Sequence, residues 1–404
     1  MILNELLCQL QAGNIVIPQW IVYIFLFALG CCIGSFLNVV IYRLPRDKSI
    51  VSPPSACPSC SRHIRFYDNI PLISWLVLGC KCRYCKAPIS PRYFFIELLT
   101  AVVFVGIYIL YFQVGIRNGI PPFLSGGWLV YLVHIGLLAS FIAASAIDLE
   151  LWLIPIAVCW FATLVGIAGS AVAGYIIEPL VVRGYMLFPT TSTLFFKETT
   201  VASIAAGATV GLVISILLLI TGLVQQSYEG EETEDSTQTQ DADEADNFNH
   251  RWEMCKEILF LLPMILCVAI SMFVTKRFNA VQDFWLNLTQ YPFVSGLLGS
   301  LFGYFVGCAV VWSTRILGTL AFGREAMGLG DVHLMGAAGA VVGPFFVFIA
   351  FFVAPFYGLM WAFIQMLTKK SRQIPYGPFL SLGVLTVMMM HDWIKEYIIF
   401  ITYH

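Results

Sequence analysis

The chain has 404 residues, of which 59% are hydrophobic and 11% charged. Soluble domains carry about 25% charged residues, so the composition excludes an ordinary soluble protein and indicates an all-α polytopic membrane protein. The 22 basic and 24 acidic residues nearly cancel. A sum near zero carries no information on nucleic acid, because distribution decides that; no nucleic-acid partner is expected.

Taken in chain order, the first apolar run is Trp20–Ile41. No basic segment precedes Gln19-Trp20 and no small-residue cleavage site follows Gly30, so this run reads as a retained helix rather than a signal peptide. Further runs near the ~20 residues needed to span a bilayer lie at Phe94–Phe112, Trp128–Ile147, Leu153–Tyr175, Val201–Val224, Ile258–Thr275 and Val294–Leu317. Three less distinct ones follow at Val332–Val342, Pro344–Met366 and Phe379–His391, giving about ten helices.

Between the first two runs, Tyr42–Arg92 carries Arg43, Arg46, Lys48, Arg62, Arg65, Lys81, Arg83, Lys86 and Arg92 against only Asp47 and Asp68. Basic excess in a short loop marks the cytoplasmic side. Counting crossings from there puts Asp148, the segment 225–256, Arg315–Asp331 and Lys369–Arg372 on the same side. Gln226–His250 holds nine acidic residues among Ser, Thr and Gln and too few apolar ones to fold alone, so it is expected to be a disordered acidic loop.

Of 12 cysteines, five crowd the basic loop: Cys57, Cys60, Cys80, Cys82 and Cys85. Cys57-Pro58-Ser59-Cys60 and Cys82-Arg83-Tyr84-Cys85 form two C-x-x-C pairs at the spacing of a zinc ribbon. Two such knuckles complete a tetrathiolate shell for structural Zn²⁺, and a cytoplasmic position disfavours disulfides. Cys80 and His63 are spare ligands.

Two acids stand out. Asp148 ends the apolar run Leu137–Ile147, and Asp331 closes Gly328-Leu329-Gly330-Asp331. A carboxylate at bilayer depth costs roughly 2.5–3.5 kcal/mol on insertion scales, so it usually faces a protein interior and marks function. Two of them on one face point to a paired-acid site of the aspartic-protease kind. Glu150 competes with Asp148, because it lies at the same depth. Taken alone, Asp148 also fits an interfacial helix end, and Asp331 a helix-capping residue in a glycine-rich turn.

Together these motifs resemble the bacterial type IV prepilin leader peptidase and N-methyltransferase family, a GxGD-type membrane aspartic peptidase. The resemblance rests on Gly34–Pro45, Asn69–Trp75, Cys82–Cys85, Ile89–Tyr93 with Glu97, Ile147-Asp148, Gly328–Asp331 and Pro375–Leu380 in the family's order. It implies that Asp148 and Asp331 cleave the basic leader from prepilins and pseudopilins of type IV pilus and type II secretion systems, at the cytoplasmic face of the bacterial inner membrane. It also implies methylation of the new N-terminal amine with S-adenosylmethionine. No glycine-rich nucleotide fingerprint is present, and no residue is assigned to that donor.

Three departures accompany the resemblance. His333 stands where the family usually has Lys; if protonated it would favour charge on Asp331, and otherwise it is an ordinary interfacial residue. Ile154-Pro155-Ile156 replaces the family's Leu-Pro-Asp. The runs Val201–Val224 and Ile258–Thr275, with the acidic loop between them, look like an insertion. The expected organisation is a first helix within 1–41, a Cys-rich domain at 42–93 and helices carrying the first acid at 94–175. An inserted pair at 176–292 and terminal helices at 293–404 follow. Rival readings are a transporter with intramembrane acids, against which no internal repeat is visible, and a non-catalytic assembly protein, which would not need both aspartates.

Overall fold

A computed structural model describes residues 18–224, 250–368 and 375–403. The acidic loop expected at Gln226–His250 lies outside the described residues except for His250, as does the basic run Lys369–Arg372. The described residues are helical, with two isolated β-bridges and no strand. Eight helices among them are long and apolar enough to cross a membrane, and two shorter apolar helices bring the number to the ten expected. The chain divides into two compact units, residues 1–114 and 115–404.

In the first unit, α1 (Gln19–Arg43) packs against α2 (Pro91–Ile109). Gly30, Gly34 and Asn38 recur every four residues and so share one face of α1. That face meets α2 in antiparallel register. A Cβ on Gly34 would stand 2.7 Å from Glu97 Cα, and Asn38 Nδ2 donates to Tyr93 O at 3.0 Å. Small residues let two backbones approach where lipid supplies no hydrophobic drive between helices. α2 starts sharply because Ser90 Oγ accepts from Arg92 N and Pro91 presets the first turn. Glu97 reaches out of α2 to accept from Leu72 N at 2.8 Å, tying the polar segment to the helix pair.

The second unit contains α3 (Gly127–Leu151), α4 (Ile156–Ile176), α5 (Glu198–Ile220), α6 (His250–Arg277), amphipathic α7 (Asn279–Thr289) and α8 (Pro292–Phe322). After these come α9 (Leu329–Val342), α10 (Pro344–Thr368), α11 (Gly377–Met389) and α12 (His391–Tyr403). The run expected at Phe379–His391 is α11, which ends at Met389, and α12 follows it after Met390.

At the centre lies α9, packed by α3, α4, α8, α10 and α11. Eleven of its 14 residues are buried, which its Gly, Ala and Val content permits by admitting neighbours closely. At 1.5 Å per residue it is about 21 Å long, short of a ~30 Å hydrocarbon core. Its N-terminal turn carries Asp331, which is buried although the cap residue Gly328 is exposed.

Candidate functional site

Asp148 sits in the last turn of α3 and is 6% exposed. The helix stops at Trp152, whose left-handed backbone (φ 56°) lets its N–H close on Asp148 O at 3.0 Å. Three residues later Pro155 precedes α4. This short reversal packs Ile154 against two glycines. A Cβ on Gly330 would stand 2.7 Å from Ile154 Cβ, and one on Gly377 would stand 2.9 Å from Ile154 Cδ1. Gly330 is next to Asp331, and Gly377 opens α11.

The N–H of Gly377 donates to Asp148 Oδ2 at 2.9 Å. It is one of the donors that a helix leaves unsatisfied at its N-terminus, where the dipole also favours a carboxylate. A Cβ on Gly377 would fall 2.8 Å from that same oxygen, so any side chain there would crowd the contact. Asp331, 8% exposed, lies in the first turn of α9, and its Oδ1 is buried with no hydrogen-bond partner among the described residues. Orphaned buried acceptors are rare and often mark function. Ile154 thus lies against both Gly330, next to Asp331, and Gly377, whose N–H holds Asp148, which brings the two acids to one place from opposite halves of the unit.

Glu150, the competing acid, is exposed. His333 receives or donates a hydrogen bond with the Tyr304 hydroxyl at 3.2 Å and lies beside the Trp160 ring. Sequence reading assigned no role to Gly377 or Ile154. The Pro375–Leu380 motif signalled the first, but a backbone donor has no residue type to reveal it. Gly377→Ala is expected to push Asp148 aside at about 1–3 kcal/mol of crowding. Peptide cleavage assays should then show about a tenfold or larger loss, with unchanged expression.

Separately, in the first unit, Cys57, Cys60, Cys82 and Cys85 place their sulfurs within 4.8 Å of one another, and Cys57 Sγ and Cys85 Sγ are 3.8 Å apart. Tetrahedral Zn–S bonds of about 2.3 Å put sulfurs about 3.8 Å apart, so the donor set fits zinc. Two matching turns build the site. Cys57 N donates to Arg62 O and Cys82 N to Ala87 O, at 2.9 and 2.8 Å. Ser61 and Lys86, each directly after a second cysteine, take left-handed φ of 55° and 59°. Bridges Ala56–His63 and Lys81–Pro88 close the two knuckles.

N–H donors of Cys85 and then Tyr84 pull the Cys82 thiol down, while the neighbouring sulfurs help push Cys85 up, so the close thiols titrate as a unit. Arg83 grips Asp68 with a bidentate pair, Nε to Oδ2 at 2.9 Å and Nη2 to Oδ1 at 2.6 Å. That hydrogen bonding holds the Asp68 carboxyl below its usual range. Cys80 and His63, the spare ligands, are not members of the four-sulfur cluster.

Residues 28–111 match the family model of the bacterial peptidase A24 N-terminal domain. The chain is 33% identical over 285 residues to the prepilin leader peptidase/N-methyltransferase of Myxococcus xanthus, covering 64% of this chain and 80% of that protein. It is 40% identical over 139 residues to the type 4 prepilin-like proteins leader peptide-processing enzyme of Escherichia coli, covering 30% of this chain and 46% of that one. Against the prepilin leader peptidase/N-methyltransferase of Vibrio cholerae it is 37% identical over 143 residues, 33% of this chain and 51% of that relative. No solved structure matches the chain. Four-fifths coverage of one relative at one-third identity leaves a single conclusion: the chain belongs to the prepilin leader peptidase/N-methyltransferase family.

Proposed function

We propose that this protein is a membrane aspartic endopeptidase that removes the leader peptide from prepilins and pseudopilins, with Asp148 and Asp331 as its catalytic pair. The observation that carries the reading is the convergence of these two buried carboxylates at the adjoining ends of α3 and α9, beside the N-terminus of α11. In hydrolysis one carboxylate, ionised, takes a proton from water as the oxygen adds to the scissile carbonyl. The partner, protonated, donates to the carbonyl oxygen. As the tetrahedral carbon collapses, the C–N bond breaks and the nitrogen leaves with a proton from the pair. Gly377 N–H holds one Asp148 oxygen, which fixes the direction of the other. Close carboxylates titrate as a unit, so the roles belong to the pair.

The basic loop Tyr42–Arg92 supports a cytoplasmic position for the site in the bacterial inner membrane, with the lipid bilayer as a constant partner. Zinc held by Cys57, Cys60, Cys82 and Cys85 would be structural, since four thiolates leave no open position. Methylation of the new amine by S-adenosylmethionine follows from the family. The described residues contain no strand and hence no Rossmann unit for that donor.

Incubating purified protein with a prepilin and resolving the products by mass should yield a leader fragment and a mature chain. Adding S-adenosylmethionine should add one methyl group to the latter. An intact prepilin after prolonged incubation with folded, zinc-replete protein would contradict the peptidase reading.

A further inference from the structure

The helix pair that departs from the family pattern is bound tightly to itself. Ser203, Gly207, Gly211 and Ser215 recur every four residues on α5 and face α6. Ser215 Oγ donates to Phe260 O at 2.7 Å and Ser271 Oγ to Ser203 O at 2.9 Å. A passenger pair needs no more than this. Yet α6 also carries Glu257, 3% exposed, whose carboxylate bonds to side chains near the end of α8.

There it meets Arg315, which is wholly buried. Arg315 Nε and Nη2 donate to Glu257 Oε1 at 3.0 and 2.9 Å, and Trp312 Nε1 donates to Oε2 at 2.7 Å. The remaining arm of the guanidinium, Nη1, donates to the Glu325 carboxylate and to the carbonyl oxygen of Met327. Thr319 Oγ1, one turn along α8, accepts from Ala326 N at 3.1 Å. Residues 325–327 are thus fastened to α8, and the next residue, Gly328, caps the helix that presents Asp331.

A guanidinium is a rigid planar fork, so fixing one edge fixes where the others point. Glu257 fixes the Nε edge. Without it, the buried cation loses its buried counter-charge and keeps only the solvent-exposed Glu325, so it turns toward that side or draws in water, which releases the Met327 carbonyl. We propose that Glu257 of the added helix is a positioning residue for the catalytic pair, acting through Arg315 to hold the 325–328 segment and hence the placement of Asp331. The added helices then belong to the peptidase machinery. The inference rests on the reading of Asp331 as a catalytic residue.

The test uses the full-length protein in detergent micelles, with Glu257→Gln, which keeps the shape and removes the charge, and Glu257→Asp, which keeps the charge. Cleavage of a prepilin gives kcat and KM. Hydrogen exchange reports on residues 324–331, and thermal melting reports on the whole fold. For Glu257→Gln, kcat should fall about tenfold with KM within about twofold, because substrate binding is untouched. Exchange should quicken at 324–331 well beyond the rest of the fold, whatever the fall in melting temperature from the broken pair, and Glu257→Asp should recover most of kcat.

Unchanged kcat in Glu257→Gln would overturn the proposal, as would a loss that tracks falling melting temperature and exchange raised throughout. If Glu257→Gln does not fold, Glu325→Gln leaves the buried pair intact and loosens only the segment. It must then show the same local exchange and lower kcat, or the proposal fails. Asp331→Asn is run alongside. Cleavage surviving in that variant would refute the catalytic pair, while exchange at 324–331 would still decide whether Glu257 holds the segment.

Discussion

Replacing Asp148 or Asp331 by Asn is expected to lower prepilin cleavage by about 10³-fold or more, with membrane insertion and zinc content unchanged. General acid–base catalysis by one positioned group is worth about 10²–10⁴-fold, and in the proposed mechanism one pair does both halves of the proton transfer. The amide is isosteric, so packing at these two buried positions is preserved. In Asp148→Asn the side-chain oxygen can still accept from Gly377 N–H, which occupies that site at 2.9 Å in the native protein. What is lost is the exchangeable proton, so kcat falls and melting temperature does not. Glu150→Gln provides the contrast. Glu150 is exposed, two positions beyond Asp148, and its neutralisation should leave most activity. Full activity in either Asn variant would remove the pair from the mechanism, and loss confined to the Glu150 variant would move the site there.

Substitution of Cys57 or Cys85 by Ser should strip most of the zinc and unfold the segment around it. No residue between 42 and 90 is buried, so this stretch has no core to hold it. Its internal ties are short turns, the Arg83–Asp68 pair and the anchor from Leu72 to Glu97. Structural zinc in finger peptides contributes an apparent ~10–16 kcal/mol at neutral pH, which exceeds anything those surface contacts supply. Purified protein should hold about one zinc per chain by elemental analysis. In the Ser variants, limited proteolysis should cut within 42–90 while circular dichroism retains the signal of the membrane helices. Absence of zinc from protein prepared without chelator, or wild-type protease resistance in the variants, would refute a structural tetrathiolate.

Much of this was legible in the sequence because the signals are local. Apolar runs of bilayer length identify helices without knowledge of their neighbours, and even the short ones, such as Val332–Val342, announced themselves. The two knuckles were readable because C-x-x-C spacing reflects the turn that presents two thiolates, and the knuckle turns around Cys57–Arg62 and Cys82–Ala87 follow it. Asp148 and Asp331 stood out because a charge in an apolar run is costly wherever the run packs, and both side chains are buried.

What only the tertiary structure decided lies between residues distant in the chain. A hydropathy scan begins α6 at Ile258 and ends α8 at Leu317, whereas the helices run His250–Arg277 and Pro292–Phe322. The scan reads Glu257 and Arg315 as the polar margins of two spans. Folding turns those margins inward as a pair, 58 positions apart in sequence, with both charges buried. Gly377 and Asp148 are 229 positions apart, and the donor is a backbone N–H common to almost every residue. Spacing and residue type carry no trace of such a contact, because the free energy that selects it resides in the packing of α3 against α11 and not in either segment.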